Sequence, residues 1–183
     1  MSLEFNRRSF LKYSAAAAVA VAGSSLLTGC GEDEYQKTGK IGSTLKLMGT
    51  FKTYKSADAP TKAPAYTGNT FTCTVNIKCT TKKVPLYVTN ECFELTVTHD
   101  KNEKNYAKQY INIDKEEYDL KESEGAKDFK LTITPVDIQD GDKVELKYWP
   151  RIQASSGNSG YTRAFCTWKM TAKKDGTGKI ILE

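Results

Sequence analysis

The chain has one histidine in 183 residues, His99, which leaves little from which to build a His-based triad or a His-rich metal centre. None of its five cysteines forms a Cys-x-x-Cys pair, so the paired spacing of a four-Cys zinc site is missing. Also absent are a G-x-S-x-G elbow, a P-loop and the glycine pattern of a dinucleotide fold. Charge of one sign is scarce as well: 27 basic residues against 22 acidic give a net charge of +5. Lysines stand beside acids, as in Lys121-Glu122 and Lys127-Asp128, and no basic stripe with interleaved aromatics develops. Nucleic acid is therefore not an expected partner. Beyond residue 30 no segment sustains the apolar period of a helix.

The charge-free run from Tyr13 to Gly29 is built mostly of Ala, Gly and Ser, with Arg7, Arg8 and Lys12 all on its N-terminal side. A permanent transmembrane helix needs about 20 strongly apolar residues, and this run is both shorter and weaker. Arg7-Arg8-Ser9-Phe10-Leu11-Lys12 resembles a bacterial twin-arginine export signal, and Leu27-Thr28-Gly29-Cys30 resembles a lipoprotein cleavage box. The first resemblance implies export by the folded-protein route, read on Arg7, Arg8, Phe10, Leu11 and Lys12, although Asn6 stands where that pattern more often has Ser or Thr. General secretion of the unfolded chain stays open as the other route. The second implies that residues 1–29 are a signal peptide and that Cys30 is diacylated. The protein would then be held by lipid at the cell envelope, on the outer face of the cytoplasmic membrane.

The segment 30–40 is polar, without hydrophobic period, and reads as a flexible tether. The folded domain is expected over 41–183, within the size range of a single domain able to bury its own core. Its period is two. Leu45, Leu47 and Phe51 alternate with Lys46, Met48 and Lys52, and Phe71, Cys73, Val75, Ile77 and Cys79 with Thr72, Thr74, Asn76 and Lys78. The pattern returns in Phe93-Leu95-Val97, Phe129-Leu131-Ile133, Val144-Leu146-Tyr148 and Ala164-Cys166-Trp168-Met170, with Tyr106 to Ile113 a further candidate. Turn residues punctuate the runs at Asp58-Ala59-Pro60, Thr67-Gly68-Asn69, Asp100-Lys101-Asn102, Gln139-Asp140-Gly141-Asp142, Gly157-Asn158-Ser159-Gly160 and Asp175-Gly176. An all-β antiparallel sandwich of about seven to eight strands follows. The weak helical stretch around Lys115 to Glu124 has no apolar face and reads as loop.

Thr70 to Lys83, Val84-Pro85-Leu86-Tyr87-Val88, Phe93-Glu94-Leu95-Thr96-Val97 and Asp128 to Tyr148 together resemble the immunoglobulin-like domain of many bacterial lipoproteins and small secreted antigens. That resemblance implies an immunoglobulin-like β-sandwich and brings no active site with it.

With Cys30 assigned to lipid, Cys73, Cys79, Cys92 and Cys166 remain, an even number in an exported domain. Cys73 and Cys79 lie about 20 Å apart along one strand, too far to bond each other. Two connectivities survive, and Cys79–Cys92 with Cys73–Cys166 is the preferred one. Four buried thiols are the competing reading.

For chemistry, His99 reads as a surface turn residue. Asp137, Asp140 and Asp142 around Gly141 read as an acidic turn ahead of a Ca²⁺ loop, whose spacing they lack. No catalytic residue, cofactor or metal is expected. Trp149, Arg151, Tyr161 and Arg163 flank one long loop and form the candidate ligand surface, because large amphipathic side chains dominate interfaces and sandwich loops carry binding. The expected function is therefore a non-enzymatic binding or accessory domain whose partner is an envelope protein, peptide or glycan. The alternative is an envelope enzyme using a Cys pair as a reversible disulfide, which would require an exposed thiol of low pKa.

Overall fold

Alternating apolar residues build two facing sheets in the computed structural model, which describes residues 36–48, 55–80, 84–153, 159–161 and 164–183. Arg7, Arg8, Phe10, Leu11, Lys12, Cys30, Phe51 and Arg163 lie outside the described residues. The strands in chain order are β1 (Gln36–Lys40), β2 (Leu45–Met48), β3 (Lys55–Thr67), β4 (Thr70–Cys79) and β5 (Leu86–Val88). Next come β6 (Phe93–His99), β7 (Asn102–Tyr106), β8 (Ile111–Ile113), β9 (Tyr118–Leu120) and β10 (Ala126–Ile133). The last are β11 (Lys143–Tyr148), β12 (Arg151–Gln153), β13 (Ser159–Tyr161), β14 (Phe165–Lys174) and β15 (Ile180–Leu182).

One large sheet runs β1-β14-β11-β6-β7 with β15 added to β14, the other β2-β3-β4-β10-β8. A small third sheet, β13-β12-β5-β9, caps one end of the fold. Register places apolar residues in rows. Leu146 stands between Leu95 and Trp168, and Tyr148 between Phe93 and Cys166. In the second sheet Leu131 stands between Cys73 and Ile113, and Ile133 between Phe71 and Ile111. Both sheets contribute these rows to one buried core, so each buries one face against the other in the manner of a sandwich. Trp168 is fully buried, and its indole N–H donates to the Ser43 carbonyl at 2.8 Å, which satisfies the one polar atom the ring takes into the core.

Three features depart from the expected plan. Gln36–Lys40, placed in the tether by its polarity, forms β1, the parallel neighbour of β14, in which Gly39 pairs with Trp168. A polar edge strand needs only backbone pairing, and Gly39 fits because a Cβ there would lie 2.9 Å from Leu45 Cδ2. Asp58-Ala59-Pro60, expected as a turn, continues β3 instead. The β2 pairing covers only Lys55 to Asp58, so Pro60 falls where β3 has β4 alone as its neighbour in the sheet, and register shifts against β4 follow it. Finally, the described residues hold fifteen strands rather than seven to eight, because six three-residue strands are too short for any alternation to register in the sequence.

Of the other expected turns, Gly157-Asn158 lies outside the described residues and Ser159-Gly160 belongs to β13, while those at Thr67-Gly68-Asn69, Asp100-Lys101-Asn102, Gln139 to Asp142 and Asp175-Gly176 join consecutive strands. Gly68, at φ 65°, opens the two-residue hairpin between β3 and β4, a backbone conformation that glycine adopts without steric cost. The candidate strand from Tyr106 to Ile113 is broken by a 3₁₀ turn over Lys108–Tyr110, and the stretch read as loop holds β9 and a second such turn at Glu122–Glu124.

Candidate functional site

Of the four residues proposed as a ligand surface, the fold brings two into backbone register. Arg151 of β12 pairs with Tyr161 of β13 on one side and with Tyr87 of β5 on the other. Leu86 and Val88 point into the core with no exposure, so the strand period turns Tyr87 outward. Its ring receives the Arg151 guanidinium 5.7 Å from the centroid, within cation–π range.

A 3₁₀ turn over Asn90–Cys92 completes the site. Thr89 caps it, accepting the Glu91 N–H on Oγ1 at 3.1 Å, and Asn90 Nδ2 donates to the Ile111 carbonyl at 3.3 Å. The turn holds Glu91 between two cations. One carboxylate oxygen accepts from Arg151 at 2.5 Å and the other from Lys108. Arg151 is only 12 % exposed whereas Lys108 is 61 % exposed, so the first pair is the shielded anchor and the second is open to exchange with water or ligand.

Tyr87, Glu91, Lys108, Glu116, Glu117 and Arg151 line a cleft of about 360 Å³. Glu117 sits at φ 54°, a left-handed backbone conformation uncommon for residues other than glycine. Burial, and after it the nearby Glu117 carboxylate, push the Tyr87 hydroxyl above its ordinary pKa, so it stays protonated and serves as a donor. The cleft therefore offers an aromatic face, two cations, three carboxylates and a phenol. Trp149 does not join it. Its ring packs against Phe165, with centroids 5.8 Å apart.

At the far end of β6, His99 Nδ1 lies 2.6 Å from the buried Asp142 carboxylate, whose other oxygen accepts the Gln139 N–H at 2.7 Å. Asp140 accepts the Lys174 N–H at 2.9 Å. These carboxylates tie the acidic turn to its neighbours, and no cluster of three metal-ligating side chains occurs among the described residues. The hydrogen bond to Asp142 raises the His99 pKa, with the nearby Asp100 adding to it.

The four domain cysteines are buried and carry no disulfide, so neither Cys79–Cys92 nor Cys73–Cys166 is formed in this structure. Cys73 and Cys166 lie in opposite sheets, on β4 and β14. Cys79 Sγ donates to the Val84 carbonyl at 3.6 Å and Cys92 Sγ to the Tyr87 carbonyl at 3.4 Å. Burial pushes the Cys73 thiol up to about 12 and the Cys92 thiol up to about 11.

Residues 4–24 match the TAT (twin-arginine translocation) pathway signal sequence. The matched span contains Arg7, Arg8, Phe10, Leu11 and Lys12, and the protein is accordingly one exported across the cytoplasmic membrane. No curated protein and no solved structure matches the chain. Sequence reasoning found Arg151 as an arginine beside a long loop, yet missed Glu91, Lys108, Glu116, Glu117 and Tyr87. Register and a 3₁₀ turn bring Glu91 and Arg151 together across 60 positions, which no local pattern announces.

Proposed function

We propose that this protein is an exported lipoprotein, diacylated at Cys30, whose β-sandwich is a non-enzymatic binding or accessory domain at the outer face of the cytoplasmic membrane. The cleft around Tyr87, Glu91 and Arg151 carries the reading: it presents an aromatic face beside pre-positioned charged donors and acceptors, which is equipment for recognising a polar ligand. A peptide, a protein loop or a glycan of the envelope presents the matching groups. The sandwich of two large sheets supports a scaffold role, with binding at one end. The thiol-redox alternative draws no support from the cysteines, since raised pKa values and burial are the opposite of a reactive thiol.

The test is capture of envelope proteins and cell-wall fragments on the immobilised chain from Cys30 onward, with a Tyr87→Ala, Lys108→Ala double variant beside it. Both residues face the cleft without filling the core, so the variant should fold. It should lose the captured partner by about tenfold or more. Equal capture by both would reject the cleft as the binding site.

A further inference from the structure

The end of the sandwich where the chain enters also carries its half-buried aromatic pair. Gln36, the first residue of β1, is the register partner of Phe165, so the two backbones lie side by side at about 5 Å. The Trp149 ring packs on Phe165 from β11's extension, which places the indole beside the point where the chain leaves the fold. Both rings are half-buried, neither wholly in the core nor fully in water.

Five residues separate Cys30 from Gln36, and six Cα steps span at most about 20 Å. From Gln36, β1 runs into the sheet to Lys40, so the His99–Asp142 turn and the Lys143 end of β11 are at the opposite end of the strands. A lipid on Cys30 would therefore keep the Trp149 end, and not the His99 end, within reach of the bilayer.

We infer that the Trp149–Phe165 end of the domain rests on the phospholipid surface, with the indole at headgroup level. Tryptophan favours this zone because its apolar ring and polar N–H are accommodated together there. The inference takes Cys30 as the anchor point, as proposed above. It extends that reading by fixing an orientation, one that would bring the cleft beside Arg151 close to the membrane.

The experiment makes the attachment independent of cellular lipidation. The chain from Cys30 onward is coupled through Cys30 to maleimide-bearing lipid in phosphatidylcholine vesicles, the domain thiols being protected by burial. The protein contains only two tryptophans, Trp149 and the buried Trp168, so selective excitation reports on those two alone. With brominated acyl chains in the vesicles, Trp149 emission should fall by about twofold, as expected of a ring at the interface. A Trp149→Phe variant, which leaves only Trp168, should show no loss. Unquenched emission from wild-type protein that floats with the vesicles would overturn the orientation. So would equal quenching in the variant. Neither result bears on whether cells acylate Cys30.

Discussion

Unfolding should convert the four domain cysteines from inert to fully reactive groups without any reductant, because they are buried thiols and not bridges. The size of the change follows from their environments. Against an ordinary value of 9.0, burial raises Cys73 to about 12 and Cys92 to about 11. At about pH 8 a thiol of pKa 9.0 is about one-tenth thiolate, while Cys92 would be about 0.1 % and Cys73 about 0.01 % thiolate. Since the thiolate is the nucleophile, and a thiolate of higher pKa is in part the better nucleophile, native-state reaction with a chromogenic disulfide should slow by about 10-fold at Cys92 and about 30-fold at Cys73, before steric exclusion slows it further. Folding explains how such thiols persist outside the cell membrane. A protein that folds in the reducing cytoplasm before twin-arginine export has its cysteines buried before they meet an oxidant. The assay is a titration of the Cys30→Ala protein, native and in guanidinium, without reductant. No fast thiol in the native protein and four in the denatured one is the expected result. None in the denatured protein, with the links Cys79–Cys92 and Cys73–Cys166 in a non-reducing peptide map, would refute the reasoning.

The His99–Asp142 contact gives a pH signature. Its folded pKa lies above the ordinary 6.5, so its stabilising effect is complete below 6.5 and fades as pH rises through the raised value. Melting temperatures across pH 5 to 9 should decline over that window in wild type and run flatter in His99→Gln; parallel curves would remove the contact from the stability account. At β1, Gly39→Val puts side-chain atoms against Leu45 Cδ2 and Ser43 Cβ, 2.9 and 3.2 Å from the first added carbon. It should cost about 1–3 kcal/mol, and an unchanged melting temperature would mean that β1 does not pack as described. Replacing Arg7 and Arg8 with lysine should leave unprocessed precursor in the cytoplasm, and normal maturation of that variant would point to general secretion.

Much of the sandwich is legible because its inner strands repeat the same local rule. β4, β6, β10, β11 and β14 are long enough for alternation to show, and each buries the face that its apolar residues mark. What escapes notice is held by the backbone. β1 is polar and at an edge, β3 passes through a Pro-containing turn signal, and the third sheet is assembled from three-residue pieces. The export signal is readable for the opposite reason, since it acts as a linear address and needs no fold. The cleft lies between these cases. Arg151 stands out as an arginine beside an aromatic loop, but its partner Glu91 lies in a 3₁₀ turn whose cap involves a cysteine sulfur, a device without a sequence signature. Cysteine spacing excludes a Cys73–Cys79 bridge yet cannot distinguish a buried thiol from a bridged one, because both suit an apolar strand position.

Acylation of Cys30 is the claim on which the envelope location and the membrane-facing end both stand. Cells fed labelled palmitate should incorporate label into the wild-type protein, and its mature N-terminus should be Cys30 carrying a diacylglyceryl group by intact mass. Cys30→Ala should be exported and folded but unlabelled. Equal labelling of the two proteins, or a mature wild-type chain that begins elsewhere and carries no lipid, would contradict the account.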